Sequence, residues 1–276
     1  MIREGSILVL ISQIIKELKI SRYYLFGIFS GVITQLFFAI FKIYTLTAFV
    51  GGNESISPMN ISQTVLYVWV TQILFAIVPW NVNGKDFDSV RTGAIATELI
   101  KPVDLFKLIY AKTISWRMVG FLTRAIPLFI IASVGFSLLG FSDLIIKIPS
   151  KDYCFVFLIS VSLSLILSTL ITVLLYTLAF FFTSIANFIG VISSIAFVLS
   201  GMIIPLTFYP EQLSLFLNYQ PFKFIVDTPA LILNQSYTIT ESINQLFFQF
   251  FWIVILFVAN FLAYQRIENR IEINGG

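Results

Sequence analysis

Apolar residues run through this chain in long blocks separated by short polar breaks, and several blocks have the length of a membrane span. A spanning helix needs about 20 mostly apolar residues, which positions 23–41, 61–80, 118–140, 153–182 and 246–264 supply. A sixth span is hidden in the longest uncharged run, because no Asp, Glu, Lys or Arg occurs from Tyr153 to Pro210. One helix of that length, rising about 1.5 Å per residue, overshoots any bilayer. The polar patch Thr183 to Asn187 marks the turn, and the next span covers about 186–205. The pattern predicts an all-α integral membrane protein, with six transmembrane helices in a single transmembrane domain over 1–276.

Two flanking segments read differently. In residues 1–22, Ile7, Leu8, Ile11, Ile14, Ile15 and Leu18 recur at helical spacing, while Ser12, Gln13, Lys16, Glu17 and Lys19 fill the other side. That is a basic amphipathic helix of the kind that lies in the membrane interface. Charges follow its apolar part and no small-residue cleavage site does, so it does not read as a signal peptide. The second segment, Ser200 to Leu233, carries Pro205, Pro210, Pro221 and Pro229. Its apolar stretches are about ten residues long, too short to cross. A re-entrant helical hairpin over 206–233, with prolines at its corners, is expected.

Composition agrees with the pattern and narrows the chemistry. Hydrophobic residues make up 58% of the 276 and charged residues 11%, against roughly 25% charged in soluble domains; the mean hydropathy is +0.94. There is no histidine, and Cys154 is the only cysteine. Zinc hydrolysis and Ser-His-Asp chemistry are excluded by inventory, and neither a metal site nor an internal disulfide is expected. The net charge of +3 gives no reason to expect a nucleic-acid partner. Its distribution is more informative. With the N-terminus inside, Arg3, Lys16, Lys19, Arg22, Lys85, Arg91, Lys101, Lys107, Lys112, Arg117, Arg266 and Arg270 fall inside, and only Lys147, Lys151 and Lys223 outside. Both termini are therefore expected in the cytoplasm of a cell-membrane protein. Tyr23, Tyr24, Trp80, Trp116 and Tyr264 fall at the expected membrane borders, where such rings concentrate.

Against this background the segment Gly84 to Asp104, "GKDFDSVRTGAIATELIKPVD", stands out as a long polar interruption on the cytoplasmic side. Connections of two to eight residues suffice between packed helices. Asp86 or Asp88 is suited to start a short helix and Gly93 to break it. Ala94 to Ile100 can form a second piece, and Pro102 disfavours helix at Lys101. Asp104 is placed to cap the long helix leading into the third span. The segment reads as one or two short helices across the membrane face, a docking surface rather than a solvated loop.

Inside the membrane, Ser160, Ser164, Ser168 and Thr172 form a hydroxyl stripe on the fourth span, flanked by Thr169. Such a stripe suits either a helix-packing seam or a substrate-lining wall, and both if a subunit interface opens. Gly27 and Gly31, and Ala186, Gly190 and Ser194, repeat the small-residue spacing. Arg124 is the one charge well inside an expected span, either functional or snorkelling to the nearby border above Arg117. No GxxxxGK[ST] loop is present. No paired carboxylates lie within a span, and no internal repeat supports an inverted-repeat transporter.

The order of these pieces resembles the permease subunit of type-2 ATP-binding-cassette exporters. The stretch "SVRTGAIATELIKPVDLFKLIYAKTISWR" is similar to the connector of a bacterial branch of that family, and "SGMIIPLTFYPEQL" resembles its re-entrant region. The resemblance implies that 84–104 is the coupling helix docking on a separate ATPase subunit, through Arg91, Gly93, Glu98, Lys101, Pro102 and Asp104. It also implies a non-catalytic chain that binds no cofactor, with ATP and magnesium held by the partner. A second permease, identical or a sister chain, completes the pathway in the lipid membrane, and the hairpin faces outward. The exported substrate is a drug, an antimicrobial peptide or another amphiphile. The alternatives are an ion-coupled secondary transporter and a membrane-embedded assembly factor.

Overall fold

The computed structural model describes residues 2–52, 57–79, 104–179 and 185–271. Every regular element among the described residues is helical. The chain opens with α1 (Ile2–Tyr23) and passes, after a break at Tyr24, into α2 (Leu25–Gly51). Then come α3 (Ile61–Ile73), α4 (Leu105–Ile130), α5 (Lys151–Ala179) and α6 (Ile185–Leu199). Two short helices, α7 (Ser214–Tyr219) and α8 (Asp227–Leu233), precede the long α9 (Ile239–Ile271).

Four of these helical runs are long and apolar enough to cross a membrane: Leu25–Gly51, Leu105–Leu138, Lys151–Ala179 and Ile239–Arg266. Shorter apolar helices, Ile61–Ala76 and Gly190–Leu199, lie where the second and fifth spans are expected. Local chemistry explains most of the ends. Asn60 and Gln63 close a reciprocal capping box at the start of α3, and Thr238 and Glu241 close another before α9. Asp104 caps α4 by accepting from the Lys107 amide at 2.9 Å, as the sequence predicts.

Several boundaries differ from expectation, with identifiable causes. The first span does not stop at Lys42 but runs on to Gly51, because the Lys42 ammonium turns inward onto protein acceptors. The fifth span, expected to reach 205, ends as helix at Leu199. Gly201 there adopts φ +77°, a left-handed conformation that favours glycine and reverses the chain. Pro127 lies inside α4, which leaves its turn one amide short. A π turn at Ile131–Gly135 follows, and the Ala132 carbonyl is taken up by the Ile146 amide at 3.1 Å.

α5 is the axis of the bundle. It packs along α9 and also touches α4 and α8, and 44% of its most apolar window is buried, against 17% for α9. The core gathers Tyr67, Trp69, Leu74, Leu128, Leu167 and Phe224, all fully buried. By contrast Phe26, Phe29, Phe37 and Phe41 of α2 and Phe247, Phe250 and Phe257 of α9 point out of the bundle. That is the arrangement of a chain whose outer solvent is hydrocarbon. α1 lies along α4. Its Leu10, Gln13, Ile14, Glu17 and Ser21 lean on the protein, whereas Ile7, Leu8, Ile11, Ile15 and Leu18 remain exposed. Most of its expected apolar stripe is thus left for a surrounding membrane interface.

The segment expected as a re-entrant hairpin, 206–233, contains two short helices linked by 3-10 turns. Its α8 arm is buried against α3 and α5, while Leu215, Phe216 and Tyr219 of α7 are exposed. The helical pieces are shorter than the sequence suggests, six and seven residues, and Pro229 lies inside α8 rather than at a corner.

Candidate functional site

The hydroxyl stripe of α5 faces the middle of the molecule. Ser160, Ser164, Ser168 and Thr172 are all buried. The Ser164 hydroxyl donates to the Phe224 carbonyl at 2.9 Å, Ser168 to the Ile77 carbonyl, and Thr172 to the Pro79 carbonyl at 2.8 Å. Each of those carbonyls sits where a helix has just ended or not yet begun. Broken helices leave acceptors that water cannot reach in a bilayer, and neighbouring Ser and Thr side chains can satisfy them. The stripe therefore holds two interruptions of the fold, one after α3 and one before α8.

Gln249 of α9 reinforces the same point. Its amide donates to the Phe224 carbonyl at 2.7 Å, to the Ser164 hydroxyl at 3.1 Å and to the Ser160 carbonyl at 3.2 Å, and its Oε1 accepts from Ser160 at 3.1 Å. Further along, Asn260 donates to the Leu170 carbonyl at 3.0 Å. Arg117 closes the stripe's other end, where its guanidinium donates to Thr172 at 2.8 Å and Thr169 at 3.4 Å. It is 1% exposed, a charge buried between α4 and α5.

A second polar cluster lies at the opposite end of the bundle from α1, up α2 by on the order of 25 Å at 1.5 Å per residue. Asp227, at the start of α8, is fully buried. Its Oδ1 accepts from the Tyr67 hydroxyl at 2.7 Å and from the Leu206 amide at 3.1 Å. Tyr67 also donates to the Gly201 carbonyl at 2.9 Å. Beside it the Lys42 ammonium donates to the Met202 carbonyl and reaches Thr71 at 3.4 Å. Lys223 is buried too, donating to Asn218 at 2.8 Å, with its ammonium 5.9 Å from the ring centres of Phe224 and Tyr237.

The extension of the first span to Gly51 brings a second charge inside the apolar helices, since Lys42 lies within α2 while Arg124 lies within α4 as expected. Lys223, expected among the outside charges, is buried within the protein. Asp227, Lys42 and Gln249 belong to neither a pair of acids nor a stripe, so no spacing pattern marks them. The signal was present in each case as a single polar residue inside an apolar run, as in "KFIVDTPALIL".

Arg124 itself is half-buried on α4, packed over Gly31 of α2, where a side-chain carbon would lie 3.4 Å from the arginine Nε. It forms one wall of a groove of about 500 Å³ between α1, α2 and α4. Of the expected coupling residues, Arg91, Gly93, Glu98, Lys101 and Pro102 lie outside the described residues, and Asp104 is the helix cap already noted. The turn at 183–187 and the small-residue position Ala186 have no described side chains. Gly190 faces open space.

Apolar spans around a buried hydroxyl rail, with helices broken and repaired inside the bundle, are the features of a multi-pass membrane protein. A family model described as ABC-2 family transporter protein matches residues 30–275. The chain belongs to that family, whose members are the membrane components, the permeases, of ATP-binding-cassette transporters. No curated protein matches the chain.

Proposed function

We propose that this chain is the permease subunit of an ATP-driven exporter, worked by a separate ATPase subunit that carries the ATP and magnesium. The family match over residues 30–275 carries this reading. It accords with a chain that lacks a phosphate-binding glycine loop of its own. In it, six spans cross the cell membrane with both termini in the cytoplasm, and 206–233 forms the outward-facing re-entrant hairpin. Two permease chains, identical or sisters, enclose the pathway for a drug, an antimicrobial peptide or another amphiphile.

Within this reading the polar segment 84–104 is the coupling helix. It begins five residues after Pro79, whose carbonyl Thr172 holds, and ends at Asp104, which caps α4. Arg91, Gly93, Glu98, Lys101 and Pro102 would meet the ATPase, and Asp104 would fix the emerging helix. An ion-coupled mechanism fits less well. Its best acid, Asp227, has one carboxylate oxygen committed to Tyr67 and Leu206.

Co-purification from native membranes tests the proposal. An ATPase subunit should accompany the full chain, and Glu98→Lys or Lys101→Glu should weaken that association while leaving thermal unfolding unchanged. Full transport by the chain in vesicles without any ATPase would overturn it.

A further inference from the structure

The groove between α1, α2 and α4 has a composition that the transport reading does not use. Lys16 and Glu17 of α1 line it together with Lys112, Arg117 and Arg124 of α4, so four cationic side chains face one carboxylate. Its remaining wall is amphipathic: Tyr24 and Trp116 beside Ile20, Ile28 and Val119. Arg117 spends its guanidinium partly on Thr169 and Thr172. Arg124 has no hydrogen-bond or ion-pair partner among the described residues, although it lies about 10 Å deeper along α4 than Arg117 at 1.5 Å per residue. A guanidinium at that depth in a bilayer is costly unless an anion meets it.

We propose that this groove binds the headgroup of an anionic phospholipid from the leaflet in which α1 lies. The phosphate sits between Arg124 and the ammonium groups of Lys16 and Lys112, and the acyl chains run down the exposed faces of α2 and α4. Three features select this occupant. Two of the groove's three walls, α2 and α4, belong to helical runs long and apolar enough to span, and the third is the amphipathic α1, which sets the groove at a membrane border where headgroups lie. Tyr24 and Trp116 are the ring types that settle at headgroup level. The excess of positive charge leaves a zwitterionic headgroup under-compensated, whereas basic pockets between spans suit anionic ones. The site would also pin α1, which supplies Lys16, to the start of α2.

Native mass spectrometry of the full chain, released from membranes containing both phosphatidylglycerol and phosphatidylethanolamine, tests this. Wild type should retain phosphatidylglycerol under activation that strips phosphatidylethanolamine. Arg124→Gln should lower that retention about fivefold and Lys16→Gln by a similar factor, the worth of one basic side chain at an anionic surface. The paired change Lys147→Gln with Lys151→Gln, at exposed positions far along the chain, should leave it unchanged. Lys16 is exposed on α1, so its variant reports on binding even if Arg124→Gln unfolds. Equal retention of the two lipids, or retention unaffected by Lys16→Gln and Arg124→Gln, overturns the proposal. Displacement by millimolar inorganic phosphate would overturn the lipid assignment in favour of a free-anion site. The outcome does not depend on an ATPase partner, so it stands or falls separately from the transport reading.

Discussion

The Tyr67 hydroxyl donates to Asp227 Oδ1 at 2.7 Å and so ties α3 to the first turn of α8. The same hydroxyl reaches the Gly201 carbonyl at 2.9 Å, so two interruptions of the chain, the turn at Gly201 and the start of α8, meet on one oxygen of α3. Tyr67→Phe keeps the ring and removes that oxygen. It should destabilise the protein by about 1.5–3 kcal/mol, the range for a hydrogen bond to a charged group. Thermal unfolding in detergent should show it, and combining it with Asp227→Asn should cost clearly less than the sum of the two single changes.

Gly201→Ala should be worse. Its added carbon would lie 2.5 Å from the Tyr67 hydroxyl and 2.7 Å from Asp227 Oδ1, at a φ of +77°. The backbone strain alone is worth about 1–3 kcal/mol, and the collision adds to it. We expect poor membrane expression and early aggregation on size-exclusion chromatography. A wild-type elution profile would contradict the described turn.

Gln249→Leu removes the amide that serves Phe224, Ser160 and Ser164. Hydrogen bonds between spans average about 0.6 kcal/mol and reach about 1.7, so a loss of 1–2 kcal/mol is expected for this cluster, by the same estimate. Ser162→Ala is the control. That hydroxyl bonds only the Leu158 carbonyl of its own helix, and its removal should change the unfolding temperature little.

Arg117→Lys should not rescue what Arg117→Ala loses. The guanidinium spans two hydroxyls, on Thr169 and Thr172, and a single ammonium cannot reproduce that planar fork. Unfolding of both variants should fall at similar, lowered temperatures, whereas a lysine variant with wild-type stability would show that charge alone matters.

Asp104→Ala should cost about 1 kcal/mol through loss of the cap, and Asp104→Ser much less. Hydrogen exchange at the Lys107 and Leu108 amides should speed up in the alanine variant while the middle of α4 stays protected. If Asp104 also touches the ATPase, association will weaken in the serine variant too, which separates its two possible roles.

The long apolar runs were readable because a bilayer imposes length and composition on a helix directly. That is why 153–182 and Lys151–Ala179 nearly coincide. Asp104 was readable because capping is local. Lys42 misled because a charge ends a hydropathy block on paper, whereas in three dimensions it needs only one acceptor, here the Met202 carbonyl 160 positions away. The stripe on α5 was visible as a pattern, but its partners were not. They are backbone carbonyls of distant segments, which leave no trace in side-chain spacing.

The α5 hydroxyls carry a mechanical implication. Ser164 grips one broken segment at Phe224, and Ser168, one turn on, grips the other at Ile77. The two grips are about 6 Å apart on one continuous helix, by its rise per residue. α5 is in effect a spindle on which two hinges are mounted side by side. A turn or slide of that spindle shifts both hinges together, and a displacement of the backbone before residue 80 reaches Phe224 through a single helical turn.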